Sequence, residues 1–572
     1  MAPLCPRLSA WIGVLGEILS RKKTQTTLLT CINIEKIHSA NFNRSEDDMN
    51  SKLQISILAV VATILCGVVW IGWAQQPNKE TLARGKALYD ARCAVCHGAE
   101  GKGDGTAATY LYPKPRDFTA GQFKVRTTPS GQLPTDEDLM AVITRGTPGR
   151  SMPSFAGLSE NDRIALVQYV KHLTAYTNEK GERINRFEDA VKSGNPPKPI
   201  KVGAEIPTSP ASIAKGKEIY AAQGCAKCHG ETGKGDGPSA RTLRDNWGFP
   251  IIVRDFTSGD YLGGSTDRDL YLRFTTGMSG TPMPAYTEEL TDEQRWQLVH
   301  YVQSLLVKQP KEIATPKDAV IRASRVRGKV NDDPNAAAWD TVVPVELPLL
   351  SLWQRGVAPA SLLVRAQHDG SQLALLLEWE DTATDLTAIR KEDFRDGCAV
   401  QFAMGAGGKP IARGGEPSFT MGEKGKPVNI WHWKADWQQE ATGKRADVDT
   451  MNPQMHVDDY PRKEPIFQTA DAAKNLLAAQ TRKSPIEDMN AEGFGTLKTQ
   501  SAAQQNVFGR GVWANGKWRV VFVRELKSRE AEDAQFVVGQ QIPVAFAVWD
   551  GQYRDRNGQK LVTDWFWLEL GK

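Results

Sequence analysis

Cys93-Ala94-Val95-Cys96-His97 and, 132 residues downstream, Cys225-Ala226-Lys227-Cys228-His229 decide the reading of this chain. Two thiols separated by two residues can add to the two vinyl groups of one porphyrin, while the adjoining imidazole reaches the iron. Eight Cys and eight His among 572 residues would produce about 0.002 such matches by chance, so two matches signal covalent haem attachment. A zinc site built on either Cys-x-x-Cys would need two further ligands near it. Cys93, Cys96, Cys225 and Cys228 are therefore the expected haem tethers, and His97 and His229 the proximal iron ligands.

The motifs sit in an internal repeat. Arg84-Gly85-Lys86-Ala87-Leu88-Tyr89 and Lys215-Gly216-Lys217-Glu218-Ile219-Tyr220 precede them, Gly-Lys-Gly-Asp-Gly follows at 101–105 and 233–237, and Arg-Asp-Phe recurs at 116–118 and 254–256. Further on, Ser151-Met152-Pro153 and Pro282-Met283-Pro284 occupy matching places and offer a thioether as sixth ligand, with Met278 a local competitor in the second copy. His/Met ligation raises the reduction potential and closes the iron to small molecules, which suits electron transfer. Ser159-Glu160-Asn161-Asp162 and Thr291-Asp292-Glu293-Gln294 then carry helix N-cap chemistry, followed by apolar positions at helical spacing.

A helix bearing Gly85 or Gly216, a haem loop, a Met-Pro segment and a closing amphipathic helix resemble the small class I cytochromes c, over residues 78–176 and 205–307. The resemblance implies two all-α cytochrome c domains in which each glycine lets the first helix approach the last. Arg116 and Arg254 are left with two roles, contact with a haem propionate or ordinary loop structure.

A chain this long exceeds one core and implies several domains. Lys and Arg number 71 against 67 Asp and Glu, and a net charge of +4 gives no reason to expect nucleic-acid binding. Ile55–Trp73 is almost wholly apolar after Lys52, which predicts an export signal or membrane anchor over 49–77, with Met49 the expected start and 1–48 an upstream extension. Cys66 lacks the context of a lipidated cysteine. Covalent haem attachment is completed outside the cytoplasm, so the expected location is the periplasmic side of the cytoplasmic membrane, anchored or released. Outside the haem motifs, Cys398 is the only cysteine C-terminal to Trp73, so no disulfide framework is available there.

Proline-rich and polar composition marks linkers at 177–204 and 308–318. From 319 to 572 the pattern changes to short apolar runs, at Ser361 to Ala366, Leu373 to Trp379, Trp518 to Val523 and Pro543 to Trp549, with an Asp369-Gly370 turn. These predict a mainly antiparallel β-sandwich. The spaced segments Pro417-Ser418-Phe419-Thr420-Met421-Gly422, Val428-Asn429-Ile430-Trp431-His432-Trp433-Lys434, Gly493-Phe494-Gly495-Thr496-Leu497-Lys498 and Ala545-Phe546-Ala547-Val548-Trp549-Asp550-Gly551 resemble the haem b subunit of ethylbenzene dehydrogenase and its relatives in chlorate, selenate and dimethyl sulfide enzymes and nitrite oxidoreductase.

That resemblance implies one non-covalent haem b between a Met and a Lys. Met421 matches the family's Met, with Met404 the alternative. Lys498 is the expected partner, with Lys517 and Lys434 open alternatives and His432 a competing ligand. Lysine binds iron only as the neutral amine, so the true ligand must be buried. Trp431, Trp433 and Trp437 otherwise read as core.

No nucleophile–base constellation is present, and irons closed on both faces do not activate substrates. The expected function is an exported electron-transfer subunit with two haems c and one haem b, itself non-catalytic. By the resemblance, its partners are a molybdopterin catalytic subunit and an iron–sulfur subunit, as in a nitrite oxidoreductase-like complex, and a soluble cytochrome or membrane respiratory component. The alternative is a dihaem cytochrome fused to a ligand-binding sandwich that serves another dehydrogenase. An autonomous haem peroxidase conflicts with Met152 and Met283 closing both c irons.

Overall fold

The computed structural model describes residues 78–147, 150–307, 320–355, 358–405, 411–444, 446, 448–454 and 482–572. The expected start at Met49, the extension 1–48, the apolar run Ile55–Trp73 and the spacer 308–318 lie outside these residues. No helix among the described residues is long and apolar enough to cross a membrane.

Each repeat folds around its first and last helices. Lys79–Arg92 crosses Glu160–Leu173, and Pro210–Ala222 crosses Asp292–Ser304. The closing helices begin where the sequence predicts: the Ser159 hydroxyl accepts from the Asp162 amide, and Thr291 with Gln294 forms a full capping box. The crossings depend on glycine. A Cβ at Gly85 would stand 2.2 Å from the Ala165 carbonyl oxygen, and one at Gly216 would stand 2.0 Å from that of Gln297. Tyr89, Leu166 and Val170 fill the first core, and Tyr220, Trp296, Val299 and Val302 the second. Each such large apolar side chain contributes about 1.5–3 kcal/mol through burial.

The stretch expected as a linker at 177–204 is partly built. Ala175–Thr177 pairs antiparallel with Arg183–Asn185, and Asn185 caps a helix over Arg186–Lys192. Phe187 anchors this segment by joining the first core, so polar composition alone understated its structure.

The two cytochrome repeats meet along a seam of buried arginines that donate to backbone carbonyls. Arg126 donates to Thr276 O at 2.7 Å, and Arg273 donates in the other direction to Lys124 O at 3.1 Å and to Arg126 O. Hydrogen bonds from a charged donor are worth about 1.5–3 kcal/mol when their loss would strand the charge.

The C-terminal region forms a sandwich, and its sheet is mixed rather than purely antiparallel. One layer runs Ile486–Ala491, Val428–Lys434, Gly397–Ala403, Gln541–Trp549, Phe566–Leu570, and the other Ser361–His368, Gln372–Glu380, Lys517–Glu525, Phe508–Ala514. Val320–Arg325 joins them, parallel to both Phe566–Leu570 and Ser361–His368. The long return between Arg325 and Ser361 supplies the crossover that a parallel pair requires, a property of connection length that strand periodicity does not report. Alternation then sorts the side chains. Cys398, Val400, Phe402, Trp431 and Trp433 enter the core between the layers, while Ala399, Ala403, Val428, Ile430 and Ala547 face the other way.

Candidate haem centres

Both haem-attachment motifs form one-turn helices, Ala94–His97 and Ala226–His229, set directly after the first helix of each repeat. The repeated Arg-Asp-Phe explains itself against them. His97 Nδ1 lies 3.0 Å from the Arg116 carbonyl oxygen, and His229 Nδ1 lies 3.1 Å from that of Arg254. With Nδ1–H donating to a carbonyl, Nε2 is the free lone pair in each ring. Phe118 stacks on His97 at 4.6 Å and Phe256 on His229 at 4.2 Å, so each ring is clamped from the side. Asp117 and Asp255 accept from the Thr119 and Thr257 amides, which holds the loop that presents these groups. Burial pulls both imidazoles below their ordinary value, toward the neutral form that binds iron. Burial also pushes the Cys93 and Cys96 thiols up to about 12 and Cys225 to about 11.

A single cavity is bordered by Cys93, His97 and Met152 of the first repeat and by Cys225, His229 and Met283 of the second. The histidine and methionine of each repeat thus face one space, and the two spaces are continuous. Met278 borders it as well, its amide donating to the Met283 carbonyl at 3.2 Å. Arg116, Lys124, Arg150, Arg254 and Arg273 also line it. Arg150 Nη1, Arg254 Nε and Nη2, and Arg273 Nε are buried without a hydrogen-bond partner. Burial lowers Lys124 to about 8 and Arg116 to about 10, and the Arg116 guanidinium stacks 4.5 Å from the Trp247 ring centroid. Arg254 is also paired with Asp260 at 2.9 Å, but an apolar cavity edged by arginines that keep some N–H groups free among the described residues fits a haem with its two propionates.

The residues expected around a third centre gather at the outer face of the sandwich. Ala399, Ala403, Val428, Ile430, Ala491 and Ala547 form a smooth apolar platform of small side chains. Met421 packs against it, its carbonyl accepting from Gly493 N at 2.9 Å, and Gln401 holds the same loop by donating to Phe419 O at 3.1 Å. Met404 instead packs against the core between the layers.

The lysines separate clearly. Lys498 has 71% of its side chain exposed and stands 3.6 Å from Glu532, and Lys517 is 46% exposed near Glu378. Lys434 is buried but donates to the Glu487 carboxylate and lies 4.0 Å over the Trp437 ring. Lys560 lies 4.7 Å over the ring of Trp549, a platform residue, and burial alone lowers it to about 8. No ion pair to Lys560 occurs among the described residues, so it has the character an amine ligand needs. Its local sequence, Asn557-Gly558-Gln559-Lys560-Leu561-Val562, places it between a turn and a short buried strand, and nothing in that stretch marks its lysine over the others. His432 stacks on Trp549 at 4.6 Å and is held neutral by burial, then by Lys434, Arg395 and Lys560. Trp431 and Trp433 fill the core.

The first repeat caps this platform. Ala107 and Leu111 belong to its apolar cluster, and Val95 and Cys96 pack against that cluster as Met421 does. Tyr112 exchanges backbone hydrogen bonds with Leu352 and Gln354, and Arg92, adjacent to Cys93, pairs with buried Glu416 at 2.8 Å.

The cytochrome c family model matches residues 82–174 and 213–306, and the ethylbenzene dehydrogenase model matches 336–561. Cytochrome c-554(547) of Halothiobacillus neapolitanus is 34% identical over 93 residues, 16% of this chain and 94% of that protein. The gamma subunit of chlorate reductase of Ideonella dechloratans is 24% identical over 254 residues, 43% of this chain and 83% of the subunit. A solved chain from a reducing HAO-like protein complex of Kuenenia stuttgartiensis is 44% identical, covering 39% of this chain and 96% of that one, with a TM-score of 0.36. The chain belongs to the cytochrome c family through its two repeats, and carries after them a domain of the ethylbenzene dehydrogenase family.

Proposed function

We propose that this chain is an exported electron-transfer subunit with two haems c and one haem b, serving a molybdenum oxidoreductase complex. What supports the reading most is the adjacency of the candidate ligands. Met421 and Cys96 pack against one apolar cluster, and the two c motifs share one cavity. Haem supplies reversible one-electron chemistry at iron.

The chain's own residues set the conditions. Cys93, Cys96, Cys225 and Cys228 are the tethers. His97 with Met152, and His229 with Met283, would ligate the two c irons, and Met421 and Lys560 would hold the b iron. The carbonyls of Arg116 and Arg254 keep each proximal imidazole in the Nδ1–H tautomer, and Phe118 and Phe256 keep it from turning. Arg150, Arg254 and Arg273 would neutralise propionates.

The similarity to a chlorate reductase gamma subunit extends the reading to partners: a molybdopterin catalytic subunit and an iron–sulfur subunit, with nitrite oxidoreductase-like chemistry as one candidate. Electrons would be passed on to a soluble cytochrome or a membrane respiratory component. Covalent attachment outside the cytoplasm implies an extracytoplasmic location.

The test is affinity purification of the full chain from its native host, with haem and metal counting. The expected result is two covalent haems, one protohaem extractable with acidified acetone, and stoichiometric molybdenum with non-haem iron in the co-purified complex. Two covalent haems with no extractable haem and no molybdenum would instead leave a dihaem cytochrome bearing a ligand-binding sandwich.

A further inference from the structure

Away from the haem centres, three strand ends converge on buried acid. Asp381 follows Gln372–Glu380, Asp396 precedes Gly397–Ala403, and Asp550 follows Gln541–Trp549. The first strand lies in one layer of the sandwich and the other two in the opposite layer. The three aspartates are 3%, 0% and 4% exposed. One carboxylate oxygen from each lies within 4.8 Å of the other two.

The hydrogen bonding is lopsided. The Asp396 carboxylate accepts from Asp385 N at 2.8 Å, Gly551 N at 2.9 Å and Trp518 Nε1 at 3.0 Å. These donors favour its ionised form. By contrast, Asp381 Oδ1 accepts from Ala383 N at 3.1 Å, but Asp381 Oδ2 and Asp550 Oδ1 are buried with no hydrogen-bond partner among the described residues, as is Asp385 Oδ2 beside them. Arg355 acts on Asp550, but its guanidinium pairs with Asp555. The charges that bear on Asp381 are the carboxylates of Asp396, Asp550 and Asp385. A buried charge without a partner costs several kcal/mol, so buried carboxylates are normally paired, protonated or bound to metal.

We infer that Asp381, Asp396 and Asp550 form a structural divalent-cation site of the calcium class, which clamps the two layers of the sandwich together at this end. The donors are hard oxygens, and no His or Cys belongs to the group. Calcium accepts six to eight oxygens in irregular geometry, whereas magnesium demands a near-ideal octahedron and retains water. A cation here would satisfy the orphaned oxygens of Asp381 and Asp550 together. In its absence burial, then the charges of Asp396 and Asp550, push Asp381 up to about 8, and burial, then Asp385, pushes Asp396 up to about 6.

The position has a consequence for the platform. Asp550 opens the excursion that ends at Lys560, and its backbone is tied to Asp555, whose amide donates to Asp550 O at 3.2 Å. The Asp550 amide in turn donates to the Asp555 carboxylate at 3.2 Å. A cation on Asp550 therefore secures the base of the loop that carries Lys560. The inference rests on the carboxylates alone and stands whether or not the domain holds haem b.

The experiment uses the full-length protein as isolated. Its calcium and magnesium content is measured by mass spectrometry, and thermal unfolding is followed after EDTA dialysis, with CaCl2 or MgCl2 restored separately. Asp381→Asn and Asp550→Asn are examined alongside. The expected result is stoichiometric calcium, a melting temperature that falls on chelation and recovers with CaCl2 rather than MgCl2, and no CaCl2 response in either variant. Metal-free protein whose melting ignores CaCl2 would overturn the inference, and an Asp381→Asn variant that melts higher than such a parent would show that protons neutralise the cluster. Should both variants fail to fold, the metal content and CaCl2 response of the parent still decide the matter. Haem count is unaffected by these outcomes as a criterion, so failure here is separable from failure of the haem reading.

Discussion

Replacing Lys560 with Ala tests the proposed haem b centre. An amine binds iron only when neutral, so the cost of deprotonating it at the working pH is subtracted from haem affinity. For a lysine in water, with a value near 10.4, that cost at pH 7 is about 4.6 kcal/mol, at roughly 1.36 kcal/mol per unit. Burial beside Trp549 lowers Lys560 to about 8. The cost there is on the order of 1 kcal/mol. The difference, about 3 kcal/mol, is worth more than a hundredfold in affinity and favours this lysine over any that faces solvent. Lys560→Ala in the full-length protein should keep both covalent haems and lose roughly nine-tenths of the protohaem, since one of two axial bonds is gone. Lys498→Ala should keep its full complement. Acid-acetone extraction followed by pyridine haemochrome quantitation reads both values. The sign with pH follows from the lowered value: between about 8 and 10.4 the unfolded chain holds a proton that the folded haem-free chain has released. This group's contribution to haem-free stability therefore rises with pH across that window, and protohaem association weakens about tenfold per unit below pH 8. A Lys560→Ala protein with undiminished protohaem and an unshifted spectrum would refute the assignment.

Met152→Ala and Met283→Ala should each leave haem attached, lower that centre's potential and admit cyanide or imidazole, as redox titration and absorption spectra would record; unchanged values in both would remove the two ligands from the scheme. Gly216→Ala should destabilise by about 1–3 kcal/mol in thermal unfolding, because its Cβ would stand 2.0 Å from Gln297 O, where an open helix position would gain stability instead. Glu416→Ala strands the Arg92 guanidinium that it pairs at 2.8 Å and should cost about 3–5 kcal/mol, seen as a lower melting temperature and faster proteolysis between repeat and sandwich. Asp488, pushed up to about 8 by burial and then by Asp533, binds a proton on folding, so its contribution to stability declines as pH rises from about 4 to 8. Asp488→Asn should flatten that slope and melt higher than the parent at pH 8; a lower melting point there counts against the argument.

Much of this molecule is written over short distances in the chain. Cys93 to His97 is a single helical turn, so tether spacing and proximal ligand are one local pattern, and repetition at Cys225 to His229 turns it into a fold. The capping at Ser159 and Thr291 was legible for the same reason, since those side chains act within a turn of their own positions, whereas the roles of Gly85 and Gly216 followed from the family resemblance, because they meet Ala165 and Gln297 in a distant helix. The sandwich was legible from alternation, but its mixed pairing was not, because the direction of Val320–Arg325 depends on strands arriving from residues 361 and 566. The purpose of Arg-Asp-Phe also escaped: its arginine acts on the imidazole through a backbone carbonyl, which leaves no mark on residue type. Lys560 shows the limit most plainly. Every lysine carries the same amine, and Lys498 lies in a family-like motif, yet the property that the proposed haem b ligand needs is desolvation, which Trp549 and the platform around it supply to Lys560. The acids at 381, 396 and 550 are likewise unremarkable one by one, and only the packing of two layers removes their water and brings their charges together. The chemistry of a residue is local to the sequence, but its solvation and its neighbours' charges belong to the folded chain.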